Sequence, residues 1–293
     1  MKSRLTSVII IISLLLIFTF TGICQDKVSA SDLVDKVGQS SINWSAAYIE
    51  AVGIGSPPEK SAGKINARPI ALRAAKEDAM RNLLEITKGV QVDSAKSVKD
   101  FTAGNNAIDT QVNAQVKGAE VVDRQYMPDG KAEVKLRMPL YGNLAQIIMP
   151  LAMVKPSAAP ALTEAAPAPA VEALESPSAT VVYTGIVIDA RGIQARPAML
   201  PKIFDEDGKE VYGLASVDLE YAVKNGMSGY AHDLTAAQSN QRAGANPITI
   251  KALRTSGPGK SDIIISNADA QNIRLSAESA TFLKQCKVVI VLD

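Results

Sequence analysis

The strongest periodicity in the chain lies between Asn66 and Gly89, where Leu72, Ala75, Ala79, Leu83 and Ile86 recur at spacings of three and four. That spacing lines one face of a helix, so the segment is predicted as a helix with a single buried stripe. Arg73, Glu77, Arg81 and Glu85 step by four along another face, and alternating charge at that interval belongs to a solvated surface. Pro69 falls in the first turn, where a missing N–H is tolerated, and Gly89 is a stop signal. Upstream, residues 31–41 are polar, with Leu33, Val34 and Val37 spaced for a short helix. The run NWSAAYIEAVGIG, residues 43–55, is predicted as a strand with Trp44, Tyr48 and Val52 on its core face. Downstream, Val90-Gln91-Val92 suits a short strand, and residues 107–115 fit a helix or an extended segment equally. GAEVVDRQYM and KAEVKLRMPL then flank Pro128-Asp129-Gly130, a turn in which proline presets one corner and glycine supplies the left-handed one. In the second arm Ala132, Val134, Leu136 and Met138 alternate with charged residues, so one face is buried and one is wet. That buried face is the natural partner of the helix stripe. Residues 143–149 read as a short apolar helix ending before Pro150.

Between Val154 and Ala179 the chain becomes rich in alanine and proline and almost free of large apolar residues, which reads as a semi-stiff tether. Beyond it, residues 180–189 form a predicted strand and residues 201–212 a hairpin around Asp207-Gly208. Residues 216–225 suit a short helix, 226–244 are small, polar and turn-rich, and 246–253 look extended. Residues 262–266 are another apolar strand, after which Asn267 is placed to cap a helix starting at Ala268. Residues 276–285 are helical in pattern. Val288 to Leu292 ends the chain in five apolar residues, which belong inside a sheet. The organisation expected is therefore a leader over 1–30, an α+β module over 42–153 with its helix packed on a small antiparallel sheet, an Ala/Pro-rich linker over 154–179, and a mixed β/α domain over 180–293.

Composition changes this picture at the N-terminus. Lys2 and Arg4 precede the apolar run from Val8 to Phe20, which is short for a bilayer span and has the layout of a secretory signal peptide. Two cleavage points compete: one after Val28-Ser29-Ala30, the other near Gly22-Ile23-Cys24. Cys24 is also a candidate for lipidation, although Ile23 stands where a lipobox has a small residue. An exported chain, in the periplasm or on the periplasmic face of an outer membrane, is the expectation. With 31 basic and 30 acidic residues, a formal charge of +1 and only 4% aromatics, the chain has neither the basic stripe nor the stacking platform of a nucleic-acid binder. Cys286 is the only cysteine besides Cys24; it leads into the last apolar strand and is expected to be a buried small hydrophobe.

Candidate chemistry is sparse. His232 is the single histidine, in GYAHD, without a nucleophile elbow or a helical metal partner. Gly53-Ile54-Gly55 lacks the third glycine of a dinucleotide fingerprint and runs into Ser56-Pro57-Pro58, so it reads as a turn. Asp205, Glu206 and Asp207 do not continue into a twelve-residue calcium loop. No cofactor, metal site or catalytic residue is expected.

The order NWSAAYIEAVGIG, ARPIALRAAKEDAMRNLLEITKGVQV and GAEVVDRQYMPDGKAEVKLRMPL resembles the LPP-twenty lipoprotein family and the N-terminal domain of flagellar assembly protein T. The resemblance spans residues 42–150. It implies an α+β module of exported envelope proteins without an active site, whose flagellar members support assembly of the motor's outer rings. The function expected is a non-enzymatic envelope protein acting through protein contacts, with envelope proteins such as flagellar basal-body components as partners. A second hypothesis is a periplasmic module for a small ligand or glycan, using the loops of residues 226–259. A third, weaker one is a hydrolase with paired carboxylates near Asp189 or Asp205 to Asp207.

Overall fold

The computed structural model describes residues 32–61, 64–153, 183–276 and 279–293. The leader, with Cys24 and Ala30, and the Ala/Pro-rich segment 154–179 lie outside the described residues. The fold is α+β. In the first half, strands β1 (Val34–Val37), β2 (Ser40–Asn43), β3 (Tyr48–Gly55), β4 (Glu120–Tyr126) and β5 (Ala132–Pro139) form one sheet in the order β1-β2-β3-β5-β4, antiparallel throughout. Helix α1 (Ala67–Gly89) lies across β3 and β5. The hairpin between β4 and β5 turns where expected. Gly130 takes a φ of +84°, and the Asp129 carboxylate accepts the Lys131 N–H at 3.1 Å. Ala132, Val134, Leu136 and Met138 are buried under α1, as the alternation requires. Helices α2 (Val98–Thr102), α3 (Asn106–Lys117) and α4 (Asn143–Met153) complete this half.

The contact between α1 and β3 departs from expectation. The buried stripe is Ala71, Ala75, Ala79, Leu83 and Ile86, with Leu72 only half-buried beside it. On β3 the buried face carries Ile49, Ala51, Gly53 and Gly55, while Tyr48 and Val52 point the other way. The reason is close backbone packing. A Cβ on Gly53 would stand 2.0 Å from the Ala79 amide nitrogen, and one on Gly55 would stand 2.2 Å from that of Ala75. Helix and strand touch main chain to main chain, and only glycine facing alanine allows this. Trp44 leaves the strand altogether: it sits in the turn before β3, where Ala47 adopts a φ of +58°.

Other segments also differ from the sequence reading. Residues 34–43 form the β1–β2 hairpin rather than a short helix, because Gly38, at a φ of +60°, turns the chain back. Val90-Gln91-Val92 makes only a single bridge, from Gln91 to Ser97. Helix α4 runs through Pro150 to Met153; Pro150 is exposed, so the carbonyl that it leaves without a donor is within reach of water.

In the second half, strands β6 (Gly185–Asp189), β9 (Gly229–Ala231), β10 (Pro247–Lys251) and β13 (Val288–Val291) form a parallel sheet in the order β10-β6-β13-β9. Strands β7 (Ile203–Phe204), β8 (Glu210–Tyr212), β11 (Arg254–Ser256) and β12 (Asp262–Ile264) form a mixed sheet in the order β11-β12-β7-β8. Helices α5 (Leu219–Asn225), α6 (Leu234–Gln238), α7 (Asn267–Leu275) and α8 (Ser279–Lys284) pack around them. The terminal apolar run becomes an inner strand: Val288 and Ile290 enter the main core, Val289 and Val291 a smaller one, as burial on both faces of a parallel sheet demands. Residues 226–244, expected to be loops, contribute β9 and α6. The cap of α7 is Ser266, whose hydroxyl accepts the Asp269 N–H at 3.0 Å, and Asn267 is the first helical residue.

One hydrophobic core runs through both halves, and the described residues from Asp32 to Asp293 belong to a single compact unit. At the seam, Trp44 meets Tyr230 edge-on with centroids 5.7 Å apart, and the Ser45 hydroxyl donates to the Tyr230 carbonyl at 2.6 Å. The carbonyls of Gln91 and Val92 accept the N–H groups of Met199 and Leu200 at 3.0 and 2.7 Å. Two outcomes follow. Gly53→Ala should lose about 3 kcal/mol in urea unfolding, the cost of overpacking at a backbone contact. Because Trp44 is the only tryptophan, its fluorescence reads the seam; it should change in one urea transition together with far-UV circular dichroism, and two separated transitions would show halves that fold independently.

Candidate functional site

In open sheets of parallel strands, ligands bind beyond the carboxyl ends of the strands. Here that edge gathers Asp189 at the end of β6, His232 and Asp233 after β9, Lys251 at the end of β10 and Asp293 after β13. The charges neutralise one another. Arg191 Nε and one Nη donate to the two Asp189 carboxylate oxygens at 2.8 and 3.0 Å, and Lys251 Nζ lies 3.3 Å from Oδ2. The hydrogen bonds from Arg191, opposed by partial burial and assisted by Lys251, hold the Asp189 carboxyl well below the usual carboxylate range. Asp233 caps α6 through the Ala236 N–H at 2.8 Å. The Asp293 side chain accepts the Gly192 N–H, 3.0 Å from each oxygen. His232 is half-buried at this edge.

The other carboxylates singled out in the sequence are also engaged. Asp205 is buried, receives Arg274 at 2.8 Å and accepts the Lys209 N–H at 2.8 Å. Glu206 accepts the Asn267 N–H at 3.0 Å, and Asp207 accepts from the Asn267 side-chain amide at 3.1 Å. The hairpin tip is thereby fastened to the start of α7. Cys286 is fully buried, and burial pushes its thiol up.

One buried carboxylate had no signal in the sequence. Asp262, on β12, accepts a hydrogen bond from the Ser94 hydroxyl at 2.5 Å across the seam, while its other oxygen has no partner. Burial pushes its carboxyl up; the Ser94 hydroxyl and Lys202 pull it back, and Asp93 adds to the rise. Gly257 and Gly259 let the loop after β11 close on Ser94: a Cβ at Gly257 would stand 2.5 Å from the Ser94 Cβ.

Residues 185–293 match the family of Treponema pallidum Tp0624, second domain. The match begins at the first residue of β6 and takes in both sheets of the second half. No curated protein matches the chain.

An open surface also lies in the first half. β4 is one of the two edges of its sheet, and all seven of its residues are exposed. Helix α1 lies mainly over β3 and β5, and Val121, Val122 and Tyr126 on β4 remain exposed. EVVDRQY does not alternate, and that was the available sign of an edge. Its place beside β5 alone is set by the sheet order.

The two aspartates make opposite predictions. Asp189 has a depressed folded pKa, so its contribution is present above the usual value of 3.8 and is lost as pH falls below it. Asp189→Asn should lose about 1–3 kcal/mol at neutral pH, with the gap to wild type narrowing below pH 3.8 in acid unfolding. Asp262 has a raised folded pKa, so it favours the fold most when protonated and its contribution declines as pH rises through that pKa. Asp262→Asn should therefore flatten the decline of stability as pH rises above the usual carboxylate value of 3.8, measured by urea unfolding at successive pH values.

Proposed function

We propose that this chain is an exported, non-enzymatic protein of the cell envelope that works through contacts with other proteins, in assembly of an envelope structure such as the flagellar basal body. The observation that carries the reading is β4: a seven-residue edge strand, exposed throughout, offers unpaired backbone groups to an incoming chain. Two features of the sequence support it. One is the leader-like N-terminus; the other is the resemblance of residues 42–150 to the LPP-twenty and flagellar assembly protein T modules. Ionisable groups tied into ion pairs and helix caps suit a scaffold, since Asp189, Asp205 and Asp233 each hold local structure together.

The test is fractionation combined with the intact mass of the mature chain, for wild type and Cys24→Ser. The expected result is a processed chain in the envelope fraction, acylated at Cys24 or beginning at Gln25 or Ser31. An unprocessed chain in the cytoplasm would overturn the reading.

A second reading, a module for a small polar ligand or glycan, is favoured by the groove of about 680 Å³ between α5 and α8, where Tyr221 stands among Asp218, Asn225, Thr281 and Gln285. Tyr221 is 39% exposed, which gives a sugar ring a surface to stack on. If this reading holds, oligosaccharides raise the melting temperature of wild type and fail to raise that of Tyr221→Ala.

A further inference from the structure

We infer that the free edge of β4 takes an extended peptide segment that alternates apolar and acidic residues, adding it as a sixth strand to the first sheet with its acidic side chains on the side of the cleft between β4 and α1. The inference rests on the contact-protein reading above and names the partner's chemistry. Over the α1 face of β4 and β5 lies a groove of about 360 Å³, lined by the apolar Pro69, Leu72, Val121 and Val134 and by Arg73, Lys76 and Arg124. In strand addition the main chain supplies affinity and alternate side chains reach over the neighbouring face; the methylene stems of acidic side chains on that face cross the apolar lining and carry their carboxylates to the cations.

The rim decides the charge. Lys76 and Arg124 are exposed and carry no ion pair among the described residues. Arg73 is shared with Glu77 at 3.1 Å, and Arg68 lies over the Tyr126 ring, 5.4 Å from its centroid. Across the bottom of the groove, Val121 and Arg124 pair with Leu136 and Val134 on the α1 face of the sheet. Glu120, Asp123 and Gln125 pair with Arg137, Lys135 and Glu133 and belong to the opposite face. The groove side is therefore cationic although the strand as a whole is mixed, and the residues of an added strand that face α1 approach Arg124 and Lys76.

The edge is also built against a second copy of itself. The register between β4 and β5 shifts between Val121 and Asp123, leaving Val122 as a bulge. Antiparallel pairing of two copies about Val122 would set bulge against bulge, the arrangement that prevents edge-to-edge association. The stretch Asp123–Tyr126 beyond the bulge stays regular and adjoins the two unpaired cations.

The experiment uses the mature chain and a fluorescein-labelled peptide alternating valine and glutamate, with a valine–lysine peptide as control, read by anisotropy. The glutamate peptide should bind and weaken with salt; the lysine peptide should not bind. Lys76→Glu with Arg124→Glu should weaken binding about tenfold or more, since like charges now face each other, while Lys224→Glu, on α5, leaves it unchanged. Both sites are exposed, so unchanged melting shows that the variant is folded. Equal binding of the two peptides, no binding, binding only to phosphatidylglycerol vesicles, or a dimer in sedimentation that Val122→Pro abolishes would each overturn the inference. A chain found in the envelope that ignores the peptide removes this inference alone; a cytoplasmic chain removes the functional reading beneath it.

Discussion

The backbone contact between α1 and β3 is the constraint on which the first half depends. Gly53 and Gly55 present no side chain, and Ala71, Ala75 and Ala79 present one carbon each. The helix axis therefore sits closer to the sheet than leucine-on-valine packing allows. That closeness gains dispersion contacts along the whole interface, and it fixes the helix over β3 and β5. Everything lateral follows. The larger residues Leu83 and Ile86 fill the space where the helix moves past the glycines, and Leu72 is left at the margin. β4, one strand further out, remains exposed.

The second half is arranged around the buried run of β13. An all-apolar strand has no wet face, so it must take an inner position with cores on both sides, and β6 and β9 flank it. The carboxyl ends of the parallel strands collect Asp189, whose charge Arg191 and Lys251 balance, and Asp293, which accepts the Gly192 N–H. At the seam, Trp44 meets Tyr230 edge-on within the core that both halves share. Hydrogen bonds from Met199 and Leu200 to Gln91 and Val92 use backbone groups that the first half leaves without partners. The Asp262 carboxylate is the exception, a charge-bearing group under cover with one oxygen unpaired.

These features bear on function through what they leave free. The ionisable groups with good geometry serve stability, whereas the edge backbone of β4 and the exposed cations Lys76 and Arg124 share one surface with the near side of α1. Rigid placement of that surface by the glycine–alanine contact suits recognition of an extended chain, because a strand-adding partner needs an edge that does not move.

The sequence alone determined the elements whose burial pattern is local. The α1 helix, the Asp129-Gly130 hairpin with its alternating second arm, the Asp207-Gly208 hairpin and the final buried strand are each specified by periodicity or turn chemistry within about twenty residues. It also carried EVVDRQY, whose missing alternation marks an edge. Tertiary structure decided what depends on neighbours distant in sequence. The choice of Ala71 over Leu72 came from glycines on β3. The turn of residues 226–244 into β9 and α6 came from an open place beside β13. The Ser94–Asp262 hydrogen bond joins residues 168 apart in sequence, and the groove exists only because β4 is last in its sheet. Periodicity reports that a face is buried; the partner that buries it, and the strand left without one, are set only when the chain packs.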